Sequence, residues 1–162
     1  MSTRVYVPST WEGLRNLVAA DGIGPAPFFA HAVTDALRSE YADGSEEEWE
    51  YAAADAASRS SLSLIHDDVH PRRVVVAVDV ETLTPVEMED PTVVEVGEVV
   101  PFRRVAAVLV DLEDAESDVR AAADRYAEAV EGDADAEALV EVALDHELAW
   151  YATQEIGDLL DG

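Results

Sequence analysis

Short valine-rich runs recur along this chain, and most of the stretches between them carry apolar residues at helical spacing. Arg4 to Pro8 alternates and ends at a proline, which predicts a first strand with Val5 and Val7 facing inward. Ser9 then caps a helix, with Glu12 as its capping-box partner and Trp11, Leu14, Leu17 and Val18 as its stripe. Asp21-Gly22 stops that helix, and Gly24-Pro25-Ala26-Pro27 makes a stiff connector. Phe28 to Val33 predicts a second strand. Thr34 caps a short helix through Tyr41, and Ser45-Glu46-Glu47-Glu48 opens a longer one to about Ile65.

Val74-Val75-Val76-Ala77-Val78 is apolar on both faces and predicts a central strand, covered on both sides or deeply buried on one. Thr82 to Pro91 is an acidic, proline-bearing connection, after which Thr92 to Val100 predicts an edge strand. Val105 to Asp111 is a further buried strand, and Asp114 caps a helix to about Glu131. A last helix is predicted from Ala134 to Ile156, apolar over more than half its circumference and so wedged between layers. Together these elements predict an α+β fold. It is a single domain over residues 1–162, with a mixed sheet of four to five strands, helices mainly on one face and a buried C-terminal helix.

Charge changes this picture least inside and most outside. Against 36 Asp and Glu stand ten basic residues, all arginine, for a net charge of -26. Direct nucleic-acid binding and a polybasic membrane contact are excluded, since both need a basic footprint. Disorder is excluded by a hydrophobic fraction of 49 % in periodic runs. Cysteine is absent, which removes disulfides, thiolate nucleophiles and Cys-based metal sites. Met1 to Pro8 lacks the features of a signal peptide and no apolar run reaches the roughly 18 residues of a spanning helix, so a soluble cytoplasmic protein is expected.

Departures from the acidic coat are the candidates for chemistry. On the predicted last helix, Glu147 and Gln154 lie seven residues apart on one side, beside Trp150 and Tyr151. A carboxylate drawn between apolar stripes needs a hydrogen bond or an arginine. That places either a ligand-facing Glu147 or a structural ion pair there. Arg4, Arg72, Arg73, Arg103 and Arg104 each precede a strand. With parallel strands they gather into one patch suited to a carboxylate or phosphate; with alternating strands the patch dissolves. His146-Glu147 lacks the second histidine of a zinc-protease helix, since Trp150 stands there, and His66-Asp67-Asp68-Val69-His70 is too nonspecific to count as a metal loop. No metal, cofactor or catalytic residue is expected. The run Glu46 to Tyr51 is read either as a solvated helix cap or as an acidic mimic of nucleic acid.

Four segments carry a family likeness: Arg-Val-Tyr-Val-Pro-Ser-Thr at 4–10, Ala-His-Ala-Val-Thr at 30–34, Glu-Tyr-Ala-Ala at 50–53 and Asp-His-Glu-Leu-Ala-Trp-Tyr-Ala-Thr-Gln-Glu-Ile at 145–156. In these the chain resembles an actinobacterial family of small acidic proteins known as a domain of unknown function. That resemblance implies a GC-rich bacterial source and assigns no residue a role. The leading functional expectation is a non-enzymatic interaction or regulatory protein with a protein partner. The alternatives are a binding protein or enzyme for an anionic or polar small molecule, using Glu147, Gln154, Tyr151 and the strand-start arginines, and a nucleic-acid mimic that engages a basic protein.

Overall fold

The computed structural model describes residues 2–161. Strand β1 (Thr3–Ser9) leads into helix α1 (Trp11–Ala20). The cap of α1 is Thr10, whose hydroxyl accepts the Gly13 N–H at 2.9 Å, one residue later than Ser9. The helix ends where Asp21 turns left-handed at φ 59°. There follow β2 (Gly22–Ile23), β3 (Phe28–Ala32), α2 (Asp35–Glu40) capped by Thr34, and α3 (Glu46–Leu62) capped by Ser45. Half of the expected capping box forms: the Glu48 N–H donates to the Ser45 hydroxyl at 3.3 Å, while the Glu48 carboxylate accepts from that hydroxyl at 3.2 Å.

The second half begins with β4 (Val74–Val80), β5 (Leu83–Pro85), β6 (Val93–Val96), β7 (Val100–Pro101) and β8 (Val105–Val110). Helices α4 (Glu116–Asp124), α5 (Tyr126–Val130) and α6 (Ala134–Leu144) come next, then β9 (Ala149–Ala152) and α7 (Ile156–Asp161). The single helix expected from Asp114 to Glu131 is thus two, broken at Arg125. β2 pairs with β7 in a small separate ribbon. Gly22 is required there, because a Cβ would stand 2.7 Å from the Val100 carbonyl oxygen.

All main-sheet pairings are antiparallel, in the order β5-β6-β3-β1-β4-β8-β9. The α+β class holds, but the mixed sheet of four to five strands does not: there are seven strands in one sheet and two in another. The extra edges come from segments whose sequence argues against strands. Leu83–Pro85 lies in the proline-bearing connection, and its pairing with β6 makes β6 an interior strand. Ala149–Ala152 lies in the predicted last helix and pairs with the free edge of β8, Leu109 opposite Trp150.

Both sheet faces are covered, against the expectation of one. Val5, Val7, Val74, Val76, Val108 and Val110 point toward α1 and α7, which contribute Trp11, Leu14, Leu17, Ile156 and Leu160. Residues of opposite parity point toward α3, where Ala53 and Ala57 are fully buried and the small side chains let the helix lie close to the strands. A second cluster joins the end of α3 to α4 and α6 through Leu62, Val119, Ala122, Val140 and Ala143. β4 is buried on both faces, one of the two arrangements its unbroken valine run allows. Each such valine contributes about 1.5–3 kcal/mol of burial.

The buried C-terminal helix is also corrected. α6 stops at Leu144, and the Asp145 and His146 N–H groups close its last turn onto Glu141 and Ala143. A pattern apolar nearly all round serves a strand with two covered faces as readily as a buried helix. The open edge of β8, with its unpaired backbone groups, decides between them.

Candidate functional site

Arg73 and Asp111 extend the β4–β8 ladder by one step. The Arg73 N–H donates to Asp111 Oδ2 at 2.8 Å, and the Asp111 N–H donates to the Arg73 carbonyl at 3.1 Å. Cross-strand neighbours in an antiparallel pair share a face, so both side chains point toward α3. The Arg73 guanidinium grips the carboxylate in a fork, Nε to Oδ2 at 2.9 Å and Nη2 to Oδ1 at 2.8 Å. Nη2 also donates to the His146 carbonyl at 2.8 Å, tying down the loop after α6. Arg73 is only 1 % exposed, and Asp111 likewise. A fork of this kind is the arrangement in which a buried ion pair recovers most of its desolvation cost.

A cleft of about 410 Å³ opens over this pair. Ser58 and Arg73 form its floor, both buried. Leu109, Leu144 and Leu148 make an apolar wall, and Ala54 leaves the space that a larger residue on α3 would fill. At the mouth stand Tyr51, Asp55, Asp145 and Glu147, all exposed. Nη1 is the one guanidinium nitrogen of Arg73 without a hydrogen bond among the described residues. It is not among the fully sealed, unpartnered polar atoms, and Arg73 lines the cleft. The Ser58 hydroxyl is already committed, donating to the Asp55 carbonyl at 2.8 Å. On the outer side of the loop, His146 Nε2 donates to Asp118 Oδ2 on α4 at 2.8 Å.

Of the nine sequence candidates, this cleft brings together Arg73 and Glu147. Glu147 is exposed at the rim, in a loop instead of between helical stripes. Trp150 lies on the edge strand β9, 62 % exposed, on the same sheet face as Leu109. Tyr151 points the other way, into the core under α7. Gln154 is exposed in the 3₁₀ turn before α7, so it shares no face with Glu147.

The five strand-start arginines divide between the two ends of the sheet, because β4 runs antiparallel to both β1 and β8. Arg4 lies at the end of β4, its Nε 2.8 Å from Asp79 Oδ1, and the hydrogen bond to that carboxylate raises its pKa. Arg103 and Arg104 are at that same end, with Arg104 2.9 Å from Glu98. Arg72 and Arg73 are at the opposite end. Arg72 donates to Glu116 at 2.7 Å while its guanidinium stacks 4.7 Å from the Trp11 ring centre.

One further constellation escaped the sequence. His31 on β3 sits between Ser60 of α3, 3.0 Å from Nε2, and Thr92, 2.7 Å from Nδ1. Thr92 in turn donates to Asp90 at 2.7 Å. Burial lowers the His31 pKa, and the nearby Asp90 carboxylate only partly opposes it. The order serine, histidine, threonine, aspartate resembles a nucleophile relay. Ser60, however, lies inside α3, where backbone N–H groups are spent on the helix ladder and leave no donors for an oxyanion. Its role is to satisfy a buried histidine and lock α3 to β3. Only three-dimensional pairing of β3 with β6 brings residues 31, 60 and 92 together.

The His66–His70 loop is held by Arg120, which donates to the carbonyls of His66 and Asp68, and by Asp68, which accepts the His70 and Glu12 N–H groups. Among the described residues no group of three or more His, Asp or Glu side chains is placed to hold a metal. Nor is any helix long and apolar enough to cross a membrane. No curated protein and no solved structure matches the chain. A family model matches residues 3–160, so the chain belongs to a family of unknown function, DUF6912.

Proposed function

We propose that this protein is a non-enzymatic binding protein whose cleft between α3, β8 and the α6–β9 loop takes a small polar molecule, in a cytoplasmic setting. The observation that carries this reading is Arg73: a residue 99 % buried, held by Asp111 and the His146 carbonyl, that lines a 410 Å³ cleft and keeps Nη1 without a hydrogen bond among the described residues. Binding pockets are commonly of this size, mostly apolar, with a few fixed polar groups that set orientation. Preorganised donors lose little entropy when a ligand oxygen replaces water. The non-enzymatic part rests on the lining: the Ser58 hydroxyl donates to the Asp55 carbonyl, and among the described residues no histidine or carboxylate side chain hydrogen-bonds to it as a base.

A thermal-shift screen against a metabolite library tests the reading. A ligand at 100 times its Kd stabilises by about 2.7 kcal/mol, which raises Tm by roughly 5–10 °C in a chain of this length. The cleft-filling substitution Ala54→Phe should abolish the shift. The reading fails when no metabolite shifts Tm, or when the shift survives in Ala54→Phe.

A further inference from the structure

The cleft's charge points to a narrower ligand class, and this step rests on the small-molecule reading above. Arg73 is the one arginine in the lining, and both oxygens of Asp111 already neutralise it, while His146, the other basic residue there, is paired with Asp118. Three uncompensated carboxylates stand at the mouth: Asp55, Asp145 and Glu147 form none of the ion pairs among the described residues. An anion reaching Nη1 meets repulsion from all of them and from Asp111. A purely neutral ligand leaves their field unused. The exposed ring of Tyr51 beside them favours a cation as well, since an aromatic face attracts positive charge. The apolar wall of Leu109, Leu144 and Leu148 lies between the two polar ends and suits a hydrocarbon body.

We infer that the cleft binds an organic ammonium compound: a neutral hydrogen-bond acceptor on Arg73 Nη1, an apolar body on the leucine wall and the ammonium among the mouth carboxylates. Anionic ligands, the class suggested by the strand-start arginines alone, are rejected here. Specificity of this kind comes as much from the repulsion of the wrong charge as from attraction of the right one.

Four probes sharing one phenyl body separate the contributions: 4-methoxyphenethylamine (an ammonium and a neutral ether acceptor at opposite ends of the ring), phenethylamine (ammonium alone), 3-phenyl-1-propanol (hydroxyl alone) and 3-phenylpropanoate (anion). Each is titrated into the full chain at pH 7.5, followed by amide chemical shifts and calorimetry. 4-Methoxyphenethylamine is expected to bind tightest, phenethylamine next, and the other two at least about tenfold more weakly. Because Arg73 variants risk unfolding, the mouth is altered instead. Asp145→Asn with Glu147→Gln should weaken the two amines about threefold to tenfold, the range for two exposed charge contacts, and leave 3-phenyl-1-propanol unchanged. Equal or tighter binding of 3-phenylpropanoate or 3-phenyl-1-propanol at the cleft overturns the ammonium assignment and leaves the small-molecule reading standing. Amine binding indifferent to the double substitution overturns it too. No binding by any probe up to 20 mM also overturns it, and with a silent metabolite screen the small-molecule reading falls as well.

Discussion

Replacing Asp111 by asparagine removes the charge that holds Arg73 inside the protein. The carboxylate accepts three hydrogen bonds from Arg73, from the backbone N–H and from Nε and Nη2, all between 2.8 and 2.9 Å. An amide keeps one oxygen and turns an N–H₂ donor toward a guanidinium donor, so at least one contact becomes repulsive and a buried cation is left uncompensated. Breaking a buried pair in this way costs about 3–5 kcal/mol, a large share of the roughly 5–15 kcal/mol that stabilises a domain. For a chain of this length that lowers Tm by about 6–20 °C. Urea unfolding gives the free energy directly, provided the slope with denaturant is unchanged. Asp79→Asn is the control: Arg4 contacts Asp79 at the same 2.8 Å, but the two side chains are 42 % and 39 % exposed, and the expected loss is about 0–1 kcal/mol. Equal losses for the two variants refute the claim that burial sets the strength of the Arg73 fork. The double substitution Arg73→Met with Asp111→Leu should recover much of the Asp111→Asn loss, because no charge stays buried. It should remain about 1–3 kcal/mol short of the wild type, since the His146 carbonyl loses its donor and the Arg73 N–H its acceptor.

Two further outcomes follow from burial. His31 is held neutral in the fold, its pKa lowered by desolvation. As pH falls below about 6.5 the unfolded chain takes up the proton first, so stability is fully present above that pH and declines toward and through the lowered folded pKa. The free-energy difference between wild type and His31→Gln should therefore be flat from pH 8 to 7 and shrink on acidification, measured by urea unfolding at each pH; a difference that grows in acid refutes the burial argument. Trp150→Ala, on an exposed edge strand, should cost less than about 1 kcal/mol, where a tryptophan wedged in a buried helix would cost about 3–5. Acrylamide quenching of tryptophan emission should fall in the same variant, since of the two tryptophans left Trp11 is buried at 3 % exposure and Trp49 is only partly exposed.

Local signals identified most elements of the first 80 residues. Caps at Thr34 and Ser45 work through contacts three residues away, so they are readable without the fold. The valine run of β4 likewise announces a buried strand, without saying whether one or both faces are covered. What failed was long-range pairing. β5 and β9 exist because β6 and β8 would otherwise present open edges, and no property of residues 83–85 or 149–152 alone says so. The C-terminal stretch shows the limit most clearly. Helical winding placed Trp150 and Tyr151 on adjacent stripes, whereas the strand puts them on opposite faces, one exposed and one in the core.

The candidate site inherits the same division. Arginine ahead of a valine run was a visible signal at position 73, and aspartate closing the next run was visible at 111. Strand direction alone turns those two observations into a fork. Had β4 and β8 run parallel, Arg73 would sit near Arg103 and Arg104, and the patch would be cationic and built for anions. Because they run antiparallel, Arg73 meets the residue that ends β8, its charge is neutralised from within, and the carboxylates of α3 and the α6–β9 loop dominate what a ligand meets. The sign of the charge a ligand encounters is thus a property of topology: the same residues on a parallel sheet would select the opposite class of molecule.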